Sequence, residues 1–150
     1  MASRKNLLSA VLSKLRTDAT LVTLTGHTAS VMRIGRSMPP VAGRSPYLGV
    51  TAVSETAVDL SMPFFKRYVV EFQSTGADDT EAMAISDRVE DLLDTSMSTS
   101  RAYWDFTTSS IRVDSARFLS RAEPEFNEDY DLWLDVVRAV VIANPYIGCP

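Results

Sequence analysis

With 150 residues the chain fits one domain, which at this size buries roughly 70% of its unfolded surface and needs neither disulfide nor metal to hold a core. Its composition, 45% apolar and 23% charged, is that of a globular protein, and a net charge of −4 argues against a free-standing DNA binder, which presents a basic face. The single cysteine, Cys149, excludes an internal disulfide and fits a reducing compartment, and with one histidine the chain is too poor in ligands for a Cys/His metal site.

The segment MASRKNLLSAVLSKLR predicts a helix near residues 4 to 16, capped by Ser3. Leu7, Leu8, Val11, Leu12 and Leu15 share one stripe, which suits packing on a sheet. Charged residues interrupt any signal-peptide core, and no apolar run reaches membrane-spanning length, so no membrane contact is expected. Asp18 caps a short second helix through Leu21, Val22 and Leu24, which Gly26 ends. His27 follows that glycine and reads as a loop or capping residue rather than a general base.

The middle of the chain reads as β. A short strand is expected from Val31 to Ile34, then a loop punctuated by Pro39, Pro40, Gly43 and Pro46. YLGVTAVS forms the next strand, and residues 55–64 (ETAVDLSMPF) form a turn or extended arm. In FKRYVVEFQS the residues Tyr68, Val70 and Phe72 alternate with more polar neighbours, the period of a half-buried strand.

A strand, Gly76 and a helix start then follow, an order shared with phosphate-binding turns. Asp78, Asp79 and Glu81 already supply the negative charge such a helix start attracts, and the glycine patterns of nucleotide sites are missing. Asp78 with Glu81 three residues on makes a capping box, so the turn is expected to join two packed elements and hold no nucleotide. Ala82, Ile85, Val89, Leu92 and Leu93 line the helix to about Asp94.

TSMSTS reads as a mobile polar loop, and AYWDFTTSSIRVDSARFLSRA as an interrupted strand in which Trp104 and Phe106 alternate. EPEFNED is a tight acidic connection. YDLWLDVVRAVVIA is the last strand, with Leu132, Leu134 and Val136 on its apolar face and Asp131, Trp133 and Asp135 opposite. Past Val137 both faces are apolar, so that end is expected to be buried on both sides, and residues 144–150 (NPYIGCP) form a tail. The order α-α-β-β-β-α-β-β is an α+β pattern, a largely antiparallel sheet with helices on one face and open strand edges.

No catalytic constellation, cofactor motif or metal-binding pattern emerges, so the chain is not expected to be an enzyme. A carboxylate-pair hydrolase is the alternative that its many acids leave open, although no spacing selects a pair. Two charged groups stand out. Arg33, Arg36, Arg44, Lys66 and Arg67 make a basic strip if their strands lie side by side. The turn AEPEFNEDYD carries Glu123, Glu125, Glu128, Asp129 and Asp131 with the aromatic residues Phe126 and Tyr130, a mixture that suits an interface. Glu125, Phe126, Glu128, Asp129 and Tyr130 are therefore candidate contacts, with Arg33, Arg36, Lys66 and Arg67 as their counter-charges; a solvated hairpin is the alternative.

The stretches LLSAVLSKLRTDATLVTLTG, RIGRSMPPVAGRSPYLGVTAVSET and KRYVVEFQSTGADDTEAMAISDRVEDLLD, with a final apolar strand, resemble the tail terminator, or tail-completion, family of long-tailed bacteriophages. The match covers roughly residues 5 to 94 in pattern and the remainder in strand content; the 55–64 arm and the C-terminal tail have no place in it. The resemblance implies a structural virion protein at the tail neck, assembled in the host bacterial cytoplasm. It implies a ring, commonly of six subunits, that caps the tail tube and joins it to a head-side connector or stopper. Genomic DNA would pass through the lumen without specific binding, which strong lysine or arginine contacts to phosphate would hinder. Another neck ring, such as a head-closure or connector component, is the nearest alternative.

Overall fold

The computed structural model describes residues 2–36, 46–59 and 62–145. In chain order the elements are α1 (Ala2–Leu15), α2 (Ala19–Thr25), β1 (Ile34–Arg36), β2 (Tyr47–Asp59), β3 (Met62–Gly76), α3 (Asp79–Leu92), α4 (Ser98–Tyr103), β4 (Phe106–Thr107), β5 (Arg112–Arg121), β6 (Glu125–Asn127) and β7 (Leu132–Asn144). The class is α+β, as the sequence implies.

Local signals account for both ends of α2 and for the start of α3. The Asp18 carboxylate accepts a hydrogen bond from the Leu21 N–H at 3.0 Å. Gly26, at φ 72°, closes α2 by donating its N–H to the Val22 carbonyl at 2.9 Å. The Asp78 carboxylate accepts from the Glu81 N–H at 2.8 Å, while Glu81 reaches back to accept from the Ala77 N–H at 3.4 Å, one residue beyond the usual box partner. Ser3 lies within α1 rather than capping it.

One sheet runs in the order β1-β2-β3-β7-β5-β4, with β6 also on β7. Among the described strands only β1 and β2 pair in parallel; the four long strands β2, β3, β7 and β5 alternate in direction. Paired residues line up in rows across all four. Thr51, Glu71, Arg138 and Ser120 share one row; Ser54, Val69, Val140 and Arg117 another; Thr56, Arg67, Ile142 and Ser115 a third. These rows lie on the face that the described helices leave uncovered, the open face, although Val140 on it is buried. The rows between them, such as Glu55, Tyr68, Val141 and Ala116, face the helices.

The core lies between that second face and the helices. Leu7, Val11 and Leu15 of α1, Leu21 of α2, and Ile85 and Val89 of α3 meet Leu48, Val50, Tyr68, Val70, Phe72, Val137 and Val141 of the sheet. The expected stripe of α1 is the buried one, although Leu8 is half-buried at its margin. Trp104 closes one end of the core at 1% exposure and donates its indole N–H to the Leu92 carbonyl at 2.8 Å.

Several expectations need correction. The polar run after α3 is a turn leading into α4, and Trp104 ends that helix instead of alternating along a strand. Ser100 of α4 donates its hydroxyl to the Asp91 carbonyl at 2.9 Å, so a tertiary hydrogen bond supports a helix with weak local preference. The first strand begins three residues later than expected, at Ile34. The 55–64 arm is the continuation of β2 and β3 as one long hairpin, and the acidic connection contains β6. On β7 the faces are exchanged: Asp135, Val137, Ala139, Val141 and Ala143 face the helices, while Leu134, Val136, Val140 and Ile142 lie on the open face. Asp135 is fully buried there because Arg121 holds it at 2.6 Å. The Pro-rich loop and all but the first two residues of the C-terminal tail, with Arg44 and Cys149, lie outside the described residues.

Candidate interaction surfaces

The long strands place two hairpins at opposite ends of the sheet. At one end Gly76 pairs with Trp133, and the β6–β7 hairpin projects beyond that row. At the other end Lys66 pairs with Ala143, and the hairpin of β2 and β3 continues without a third strand among the described residues.

The β6–β7 hairpin holds the predicted acidic group. Glu125 and Phe126 lie on β6, and Glu128, Asp129 and Tyr130 in the turn, all exposed. Asn127 shapes that turn, its side-chain oxygen accepting from the N–H groups of Asp129 at 3.0 Å and Tyr130 at 3.2 Å. Phe126 is tilted on Trp133 with ring centroids 5.4 Å apart, yet 40% of it stays exposed, as does 40% of Tyr130. The turn thus presents carboxylates around two part-exposed rings.

The predicted basic strip is not assembled. Arg36 and Arg33 lie on β1 and just before it, on the far side of β2 from β3 and near its Tyr47 end. Lys66 and Arg67 lie near the other end of β3. Lys66 also turns to the helix face and meets Glu55 at 2.6 Å, with Arg4 of α1 on the same carboxylate at 3.5 Å. Arg67 stays exposed on the open face.

That open face is the group the sequence reading missed. Arg67, Arg112, Arg117 and Arg138 lie on it, with Glu71 as the acid that answers Arg138 at 3.0 Å. Arg112 is held by Asp105 and, at 4.0 Å, by Asp114. Val69, Val136, Val140 and Ile142 run between these charges. The clue available in the sequence was the second apolar parity of the last strand.

Several ionisable groups are held by fixed partners within the fold. Arg121 meets Asp135, Asp87 at 2.6 Å and Glu90 at 2.9 Å, tying β5 and β7 to α3. Burial works against its charge, but the hydrogen bonds to these three carboxylates carry its pKa above the usual arginine value. Arg88 grips Asp18 through two hydrogen bonds, of 2.7 and 3.0 Å, and this bond lowers the Asp18 pKa against the opposing effect of burial. Asp94 is lowered by hydrogen bonds from Ser96. His27 is lowered by burial and by Arg16; its Nδ1 accepts from the N–H groups of Arg33 at 2.9 Å and Ile34 at 3.1 Å, which positions the start of β1. These groups brace the fold. Among the described residues no cluster of three or more His, Cys, Asp or Glu could hold a metal, and no helix is long and apolar enough to cross a membrane.

The fold has a counterpart among solved structures. A chain of the virion of a native gene transfer agent (GTA) particle superposes with a TM-score of 0.59, at 23% identity, over 91% of this chain and 94% of that one. At this identity the match speaks for a shared fold over nearly the whole length. No protein-family model and no curated protein sequence matches the chain.

Proposed function

We propose that this chain is a structural virion protein whose subunits form a ring, commonly of six, at the neck of a phage-like tail. The observation that carries the reading is the near full-length fold match to a chain of a gene transfer agent virion. The ring would cap the tail tube and meet a head-side connector or stopper, with genomic DNA passing through the lumen without specific binding. Its work would be done by surfaces and not by catalysis, in a particle assembled in the host bacterial cytoplasm.

The two-ended sheet supports this reading, since a ring between tube and connector needs two unlike ends. The acidic hairpin is proposed to meet a neighbouring subunit or ring through Glu125, Phe126, Glu128, Asp129 and Tyr130. Arg33, Arg36 and Arg67 are the expected counter-charges; Lys66, held by Glu55, contributes less than the sequence suggested. Such charges steer docking and register more than they add affinity.

Electron microscopy of the particle, combined with light scattering of the purified protein, tests the proposal. A ring at the head–tail junction is expected. A subunit absent from the particle, or one that stays monomeric even within it, would refute the reading. The triple variant Phe126→Ala, Glu125→Lys, Glu128→Lys is expected to stay folded and to block tail completion; normal particles from it would return the hairpin to a solvated turn.

A further inference from the structure

We infer that successive subunits join edge to edge, the free edge of β2 in one copy adding to the free edge of β5 in the next. This inference rests on the ring reading and specifies its contact.

Both edges are open over long stretches. Strand β1 covers β2 only from Leu48 to Val50, and β4 covers β5 only at Arg112 and Val113. Among the described residues no strand lies along β2 beyond Val50 or along β5 beyond Val113. Unpaired strand edges template the addition of another strand. Because the four long strands alternate, the two edges run in opposite directions. A copy related by rotation about an axis along the strands therefore presents β5 antiparallel to β2, and the alternation continues unbroken.

The heights of the two edges also agree. Ser54 and Arg117 occupy one row of the sheet, Glu55 and Ala116 the next, and Thr56 and Ser115 the one after. A closed ring needs its two contact edges at the same level, since any offset would climb into a filament. Faces agree as well: Ser54, Thr56, Ser115 and Arg117 belong to the open face, Glu55 and Ala116 to the helix face. Joining the edges would keep all helices on one side and the sheet on the other.

Bulges bound both edges. Val53 and Val58 are unmatched on β2, Asp114 and Leu119 on β5. These bulges protect each edge from indiscriminate pairing and leave Ser54 to Ala57 and Ser115 to Phe118 as the regular stretches. Exposed apolar side chains gather on the same edges, Val53 at 47% and Val58 at 43% on β2, Phe118 at 38% and Leu119 at 48% on β5. A depression of about 510 Å³ borders β2 at Glu55 to Ala57, and one of about 450 Å³ borders β5 at Arg117 and Phe118, giving these side chains space to enter. Charge disfavours the symmetric alternative: pairing β5 with itself sets Arg117 near its own copy, whereas β2 offers it Ser54 and Thr56.

Thiol cross-linking tests the contact in the full chain with Cys149→Ser, which removes the only native cysteine. Thr56→Cys is combined with Ser115→Cys; Thr56→Cys with Arg117→Cys and Ser54→Cys with Ser115→Cys cover a slide of one repeat either way. A short bis-maleimide is added at the protein concentration, or on the particle, where light scattering or microscopy sees the ring. At least one pair should give a ladder of covalent multimers, and mixed single variants should give dimers only. Rings with no cross-link in any pair would overturn the edge contact and leave the ring standing. Covalent dimers from one single variant alone would replace it with a two-fold contact. No self-association, in solution or in the particle, would remove both.

Discussion

Replacing Arg121 by methionine separates the buried charge on β7 from its partner. The fully buried Asp135 carboxylate receives Arg121 Nη2 at 2.6 Å and Nε at 3.4 Å. In Arg121→Met the methionine fills most of the arginine stem's space but donates nothing. Loss of one partner from a buried pair costs about 3–5 kcal/mol, because the remaining charge is left uncompensated. Asp87 and Glu90, whose side chains are 62% and 42% exposed, regain water and add little, about 0.5 kcal/mol together. The expected loss is therefore about 4 kcal/mol, or a fall in Tm of about 10 °C for a domain of this size. Arg121→Met with Asp135→Leu removes both charges and should recover stability to within about 1 kcal/mol of the unmodified protein. Urea unfolding followed by circular dichroism measures both variants. A single variant that loses less than about 1 kcal/mol, or a double variant no better than the single, would refute the account of Asp135 as a charge held in place by Arg121.

Gly76→Ala should destabilise the protein by about 1–3 kcal/mol, since its new Cβ would sit 2.6 Å from the Ala82 nitrogen and 2.9 Å from the Asp78 carbonyl, both backbone atoms that cannot rotate away; an unchanged urea midpoint would show that the first turn of α3 shifts freely. The lowered pKa of Asp18 gives stability that is full above its ordinary value of 3.8 and is lost as pH falls through the lower folded value. Asp18→Asn keeps a capping side chain but loses the charge, so it should cost about 1 kcal/mol near neutral pH and flatten this acid limb; an acid limb as steep as the original would place the titration elsewhere.

The helices show where the sequence was legible. The stripe of α1, the Asp18 and Asp78 caps and the Gly26 stop are local patterns, and each reappears as a specific contact. Strand faces were harder, because the alternation of β7 offers two apolar parities and the choice between them is made by partners distant in sequence. Leu132, Leu134 and Val136 make the better apolar face by composition. The helices instead cover the parity containing Asp135, an inversion that only Arg121, fourteen residues earlier, makes tolerable. Helix α4 was hidden for a similar reason: its serines and threonine have weak helical preference, and Trp104 reaching Leu92 anchors it. The candidate surfaces divide in the same way. The acidic hairpin was visible as a cluster in sequence, whereas the arginines of the open face come from three strands and meet only when paired.

The hairpin of β2 and β3 has a consequence for how such a fold can diversify. Beyond the row of Lys66 and Ala143 no third strand pairs with it among the described residues, so its length is not fixed by the register of the rest of the sheet. Two residues added to or removed from each strand would move the tip by about 7 Å and leave every side chain on its original face. A single residue in one strand would turn over everything beyond it, Val58 or Phe64 included. Indels at this tip should therefore be inherited in even, matched steps, a sliding adjustment that changes the reach of the hairpin while the pattern of its faces is kept.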